Sequence, residues 1–306
     1  MTQLGAPAEQ ARAATRLVHH AGALVPPAEA ALPVGSIALR YGVSVFEGVR
    51  LYATADGGVR PWLFDAHLDR LRQSCRLVEL PDDECDSVPA IVDELVRVNG
   101  VTGDAYCRIA VSAGNPGGID AAGESVLTVS VTPMGRKRWL AEGRGMRLTV
   151  SSSQRVPDAA FPSACKNISN YAGPRLAAAA ARRAGFDNCL LVTASGLVSE
   201  APTAAVFAVH GGRLVTPRLA DDVLPSITRA WVLAVAGGLG FEAAAFDHAA
   251  VGMDCSPPEV TTDPADAAVM PLAVVHMFSS NCLPLVGVRP TAKTARAVPP
   301  TNDVDM

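Results

Sequence analysis

The order in which hydrophobic periodicity changes along this 306-residue chain constrains its fold most. Residues 37–64 read as strands, 65–99 switch to helical spacing, and 106–132 return to β-rich runs. Ile37-Ala38-Leu39 leads in, and Val49-Arg50-Leu51-Tyr52 alternates apolar and polar as a half-buried strand does. Ala55-Asp56-Gly57-Gly58 is a turn signal, with Pro61-Trp62-Leu63-Phe64 as the return strand. Asp65 reads as the N-cap of a helix over 67–78, with Leu68, Leu71, Cys75 and Val78 on one face. A second amphipathic helix over 88–99 closes at Gly100. A Gly- and Arg-rich break at 135–145 then separates this half from one with strands at 146–153, 188–193, 204–209 and 213–215. Helices at 171–184 and 227–238 complete it. Strands and helices segregated in this way predict an α+β fold with two layers per unit. The expected domains are 1–134 and 146–306, joined by a linker at 135–145 and followed by a poorly ordered tail at 290–306.

Composition excludes several classes. A net charge of −4 leaves no basic footprint, so nucleic acid is not an expected partner. Seven cysteines, an odd number with no CxxC pair, read as reduced thiols in a cytoplasmic protein, without disulfides or a metal site. Residues 1–9 lack the basic-then-apolar order of a secretory signal. The stretch 267–288 carries no Lys, Arg, Asp or Glu. Pro271, Pro284 and Gly287 interrupt it, which fits two buried strands rather than a membrane span.

Lysine is scarce: three against 23 arginines. One of the three, Lys166, lies in Cys165-Lys166-Asn167-Ile168-Ser169-Asn170-Tyr171 with no acidic neighbour and an Ala-rich helix after it. Burial disfavours an ammonium ion and frees the amine as a nucleophile, the form that condenses with carbonyl compounds. Tyr171 follows at the start of the helix, where its hydroxyl can sit beside a ring oxygen or a phosphate. Glu200 ends a β-turn-β unit and is suited to pairing with a pyridinium nitrogen. Pro225-Ser226-Ile227-Thr228-Arg229 opens a helix whose free N–H groups suit a phosphate. Taken singly, each has a plain structural explanation: a core tyrosine, a loop carboxylate, an ordinary helix cap.

Taken together, the lysine segment, Glu200 34 residues later and Leu224-Pro225-Ser226-Ile227-Thr228-Arg229 resemble the class IV pyridoxal-phosphate aminotransferases. The N-terminal half agrees. Arg40-Tyr41-Gly42-Val43-Ser44-Val45-Phe46-Glu47-Gly48-Val49-Arg50 is similar to the signature of the branched-chain enzymes, and His67-Leu68-Asp69-Arg70-Leu71 to the segment whose arginine holds the cofactor phosphate. The resemblance spans about 37–288. It implies fold type IV, with a small N-terminal α/β domain and a larger C-terminal pseudo-barrel domain. It also implies pyridoxal 5'-phosphate as cofactor, an amino acid and a 2-oxo acid as substrates, and a homodimer. By the same resemblance Lys166 is the Schiff-base lysine and proton shuttle, Glu200 pairs with the pyridine nitrogen, and Tyr171 bonds near the 3′-oxygen. Arg70 and the Ile227 and Thr228 amides bind phosphate, and Tyr41, Phe46, Tyr106 and Arg108 wall the substrate pocket.

The chain departs from that pattern in two places. The family's late turn, which the resemblance implies binds phosphate and the substrate carboxylate, is matched best by Met277-Phe278-Ser279-Ser280-Asn281-Cys282-Leu283, after an insertion near 249–275, which makes Ser280 and Asn281 its phosphate ligands. Ala204-Ala205 stands where the family commonly has a polar pair. Asn281-Cys282-Leu283 looks like the aminodeoxychorismate lyase branch, while the Phe-Glu-Gly signature and Tyr106-Cys107-Arg108 look like the branched-chain aminotransferases. An aminotransferase is the leading expectation, a lyase the second and a non-catalytic relative the third.

Overall fold

The computed structural model describes residues 15–135, 145–210 and 212–245, and the backbone of a strand at 272–276. A six-stranded sheet is built wholly from residues 18–133. Its strands are β1 (Val18–His20), β2 (Ala23–Val25), β3 (Ser44–Ala53), β4 (Val59–Pro61), β5 (Ala105–Ala113) and β6 (Ser125–Pro133), in the order β2-β1-β6-β5-β3-β4. Every pairing in it is antiparallel. Helix α1 (Ile37–Tyr41) precedes β3, and α2 (Phe64–Leu77) and α3 (Val88–Asn99) lie between β4 and β5.

Strand periodicity sorts this sheet into two unlike faces. Side chains alternate along a strand, so Val45, Glu47, Val49 and Leu51 of β3 share one face with Cys107, Ile109 and Val111 of β5. The apolar members of that set are buried against Leu68, Leu71 and Cys75 of α2 and Val88, Val92 and Leu95 of α3. Phe46 and Gly48 of β3, with Tyr106 and Arg108 of β5, take the opposite face, where Gly48 pairs in register with Arg108. One face is core, and the other is free for chemistry.

In the C-terminal half, β7 (Leu148–Gln154) pairs in parallel with β8 (Asn188–Val192). A parallel pair requires a crossover connection, and here the crossover carries Lys166 and helix α4 (Ala172–Arg183). Ala177 and Ala181 let that helix lie close on Cys189 and Leu191 of β8. A second sheet runs β11-β10-β9-β12, from β9 (Ala204–His210), β10 (Arg213–Thr216), β11 (Glu242–Ala245) and β12 (Leu272–His276). Helix α5 (Ile227–Ala236) buries Val232 and Ala236 against Phe207 and Leu214 of that sheet. The halves touch where Trp62 meets Trp231 edge to face at 5.5 Å.

Several local readings need correction. Ile37-Ala38-Leu39 is helical, because the Ser36 hydroxyl accepts from the Leu39 amide and Gly42 closes the turn in the left-handed region. The return strand stops at Pro61. Leu63, at φ 49°, begins α2 without a side-chain cap, and Asp65 lies inside its first turn. The β1–β2 hairpin was not anticipated, since three-residue strands are too short to show a period. Of the charge-free stretch 267–288, only the strand Leu272–His276 is described. The basic cluster at 136–138 and the tail at 290–306 lie outside the described residues.

Gly42 has φ +73°, and a Cβ there would collide with the Ser169 hydroxyl, which itself donates to the Gly42 carbonyl at 3.0 Å. Gly42→Ala is therefore expected to cost at least about 1–2 kcal/mol, the left-handed penalty alone. It is also expected to loosen the Lys166 segment. Thermal unfolding of the two proteins checks the first effect, and amide exchange at 166–171 the second.

Candidate active site

The Lys166 backbone is stitched between two elements of the N-terminal half. Its N–H donates to the Ser74 hydroxyl on α2 at 3.0 Å, and its C=O accepts from the Phe46 amide on β3 at 3.0 Å. Cys165 adds a thiol contact to the Ser74 carbonyl at 3.6 Å. Downstream, the Asn167 side chain caps a single 3-10 turn, Ile168–Tyr171. That turn brings the Tyr171 hydroxyl back to Lys166, whose Nζ donates to it at 2.7 Å. The Phe46 ring lies 4.9 Å from Nζ and 5.0 Å from the Tyr171 ring, so the amine sits among aromatic surfaces and is buried.

Glu200 lies beyond Lys166, at the far end of a small pocket also lined by Leu224 and Ser226. Its carboxylate Oε1 is 2.8 Å from Nε of Arg155, a buried arginine that also donates to the Asn170 carbonyl at 3.3 Å. Burial pushes the Glu200 carboxyl above its ordinary value. The charges of Arg155 and Lys166 and the Leu224 amide pull the other way without cancelling the effect.

The third corner is a charge network on the core face of the first sheet. Glu47 is fully buried at a position that strand alternation reserves for apolar residues. Arg70 grips it with two hydrogen bonds, Nε to Oε1 at 2.7 Å and Nη2 to Oε2 at 2.8 Å, and the His67 ring bonds Oε2 at 2.7 Å. Burial alone would raise the Glu47 carboxyl. The Arg70 charge, the bonds from His67 and Arg70, and the Lys166 charge outweigh it and hold it at about 2. The Arg70 Nη1 crosses to the Pro225 carbonyl at 2.9 Å, just before α5. There the Ser226 hydroxyl caps the helix through the Arg229 amide, while the Ile227 and Thr228 amides have no acceptor within the helix.

A cavity of about 280 Å³ opens above the amine. Phe46, Gly48, Tyr106 and Arg108 form its sheet wall, and Lys166, Ile168, Tyr171 and Thr203 face them. The Arg108 guanidinium lies 4.1 Å from the Phe46 ring centre and bonds the Tyr106 phenol. Burial raises the Tyr106 phenol above its ordinary value against the opposing pull of Arg108, so it stays a neutral hydroxyl. Gly48 is required here, because a Cβ would strike the Tyr106 hydroxyl.

The fold thus gathers Lys166, Tyr171, Phe46, Tyr106 and Arg108 around one cavity and puts Glu200 on the small pocket that shares Lys166 and Tyr171, while Arg70 reaches the Pro225 carbonyl just before Ile227 and Thr228. Tyr41 is set apart: it ends α1, is 36% exposed and is covered by the Arg40 guanidinium, outside the cavity lining of a single chain. Ser280 and Asn281 lie outside the described residues. Two functional residues escaped the sequence reading. Glu47 was legible only as a letter of a motif, and its signal was a carboxylate at an inward-facing strand position. Arg155 carried no local signal, since its partner is 45 residues away.

The donor set suits pyridoxal phosphate. Three of the five Arg70 N–H groups are engaged, which leaves two for an anion beside the first amides of α5. The buried Glu200 carboxylate matches a protonated ring nitrogen, and the Tyr171 phenol and Lys166 amine match a ring oxygen and an aldehyde.

Removing the Glu47 charge tests the network. Glu47→Gln leaves Arg70 buried without its counter-charge, an expected loss of about 3–5 kcal/mol near neutral pH. A carboxyl lowered from 4.5 to about 2 on folding contributes stability that is full above about 4.5 and lost as pH falls toward 2. Thermal unfolding as a function of pH is therefore expected to show a gap between the two proteins at pH 7 that closes below about pH 4.5.

Comparison with known proteins agrees with this geometry. The family model for class IV amino-transferases matches residues 44–251. The branched-chain-amino-acid aminotransferase of Salmonella typhimurium is 32% identical over 219 residues, 70% of each chain. The crystal structure of the Escherichia coli branched-chain aminotransferase superposes with a TM-score of 0.70 at 29% identity, covering 75% of this chain and 76% of that one. The T.th. branched-chain aminotransferase solved with pyridoxamine 5'-phosphate superposes with a TM-score of 0.65 at 30% identity, covering 75% of each. This chain belongs to the class IV aminotransferases, fold type IV enzymes that use pyridoxal phosphate to move an amino group between an amino acid and a 2-oxo acid.

Proposed function

We propose that this aminotransferase takes its amino group from branched-chain or related apolar amino acids and passes it to a 2-oxo acid by ping-pong turnover. The observation that carries this reading is the cavity above Lys166. Its volume of about 280 Å³ suits one small amino acid, and Phe46, Ile168 and Tyr171 give it apolar walls beside the single guanidinium of Arg108. The substrates in the names of similar proteins point the same way.

Bound pyridoxal phosphate supplies an aldehyde for the amine and a ring that draws electrons from the donor's Cα. In our reading Lys166 Nζ accepts the Cα proton, and Tyr171 holds Nζ in place from 2.7 Å. Glu200, backed by Arg155, keeps the ring nitrogen protonated. Arg70 and the Ile227 and Thr228 amides hold the phosphate. Arg108 and Tyr106 orient the carboxylates of donor and acceptor.

The same reading assigns a homodimer. Val34 just before α1, Leu39 and Tyr41 on α1, and Ile119 on the 115–121 loop are exposed, and the bond from Arg40 to the Gly117 carbonyl ties the helix to the loop. A second copy covering this patch brings Tyr41 to the mouth of a site. We also assign two domains, meeting between β6 and β7, since no sheet spans both halves among the described residues. A reducing cytoplasmic setting fits the five described cysteines, all free and buried. Among the described residues no helix is long and apolar enough to cross a membrane.

A donor and acceptor screen, read by the absorbance change of the enzyme-bound cofactor, tests the proposal. Leucine, isoleucine or valine is expected to drive the change, and a 2-oxo acid to reverse it. No response to any of them would overturn the donor assignment. Lys166→Ala is expected to lower kcat at least about 10³-fold, within the range for loss of a general base. Analytical ultracentrifugation is expected to give a dimer, and Leu39→Asp a monomer.

A further inference from the structure

The two walls of the cavity differ in kind. Tyr106 and Arg108 on the sheet side carry polar groups, and across from them Ile168 carries the single aliphatic side chain among the described lining residues. Ile168 opens the 3-10 turn that follows Lys166, and that turn is tied down on either side. Before it, Asn167 is buried, bridges to Val45 of β3, and caps the turn by accepting from the Ser169 amide at 2.8 Å. After it, the Ser169 hydroxyl donates to the Gly42 carbonyl at 3.0 Å, and the buried Asn170 side chain donates to the Cys165 carbonyl at 3.2 Å. The backbone that carries Ile168 has little room to retreat, and branching at Cβ restricts the side chain itself. A half-buried aliphatic group is thus presented to the cavity on a stiff support.

We propose that Ile168 is a specificity-determining residue that sets the largest side chain the amino donor can carry, admitting branched aliphatic groups and turning aromatic rings away. This rests on the donor class assigned above. The donor's Cα is tetrahedral. Its nitrogen faces the cofactor, its proton faces Lys166 Nζ, and its carboxylate faces Arg108 and Tyr106 on the sheet wall. The fourth substituent, the side chain, is left pointing away from that wall, toward Ile168. Aliphatic meets aliphatic there, so a branched chain removes apolar surface from water on both partners. A ring that reaches further finds a wall unable to shift, and its extra atoms meet overlap rather than contact. Specificity of this kind comes from what a site excludes as much as from what it holds.

The test compares the parent with Ile168→Val, one methylene smaller, and Ile168→Ala, which removes most of the side chain. The cofactor-loaded enzymes are followed by absorbance through the first half-reaction with leucine and with phenylalanine. Calorimetry measures binding of 4-methylpentanoate and 3-phenylpropanoate, which carry the same two side chains without the amine. The parent is expected to prefer the aliphatic member of each pair, in kcat/KM and in Kd, by at least about 10-fold, the lower bound for one methylene in an apolar pocket. Ile168→Ala is expected to shift both ratios toward the aromatic member by roughly 10- to 200-fold, with Ile168→Val between. Ratios unmoved in both variants would overturn the assignment, as would a parent that takes phenylalanine as readily as leucine. So would equal losses with all four compounds, the mark of a merely structural role. A parent that reacts with no apolar amino acid, yet prefers 4-methylpentanoate and loses that preference in Ile168→Ala, would overturn the donor class and leave the role of Ile168 standing.

Discussion

A carboxylate in the middle of a hydrophobic core organises this molecule. Glu47 occupies a slot that the β3 alternation assigns to an aliphatic side chain, and it is fully buried there. An ionised carboxylate cannot stay in such a place unless cations and donors surround it. Arg70 and His67 satisfy it, and both come from α2, one helical turn apart. The pairing therefore sets the rotation of α2 on the sheet. That rotation in turn turns Ser74 toward Lys166 and Arg70 toward the N-terminus of α5. The position of the reactive amine and the closure between the halves follow from one buried charge.

Division of labour between the two faces of the first sheet does the rest. The helix-covered face supplies cohesion, with Leu71, Val88, Leu95 and Ile109 fully buried. The other face, one residue out of phase, carries Phe46, Gly48, Tyr106 and Arg108. A one-residue slip in register would exchange the faces and put Arg108 in the core. Register on this sheet is thus under two constraints at once, one from packing and one from the site.

Much of this was legible in the sequence, for physical reasons that differ from place to place. The helix over 88–99 and the strands β5 and β6 show their periods over nine or more residues, and they appear almost as read. Lys166 drew attention through its rarity and apolar company. What was missed was short or distant. Ser36 caps a five-residue helix too brief for a hydrophobic period to separate it from a strand. Leu63 starts α2 in a left-handed conformation that no propensity favours for leucine. Arg155 and Glu47 acquire meaning only from partners brought close by folding. Tyr41 was read into the pocket, but within one chain it faces outward.

The electrostatics around Arg70 differ from what a cationic clamp suggests. The Arg70 charge is already balanced by Glu47 at 2.7 and 2.8 Å, so the pair presents little net positive charge to an incoming anion. What remains is directional: two N–H groups of a guanidinium held rigidly in place, and the first amides of α5 with the positive end of its dipole. Such a site selects by geometry more than by field strength, and buried contacts of this kind are screened little by salt. Glu200 and Arg155 repeat the pattern at the other end, where a buried cation and the Leu224 amide stabilise a buried carboxylate. Both ends place fixed hydrogen-bonding groups, and each balances a buried cation with a buried carboxylate.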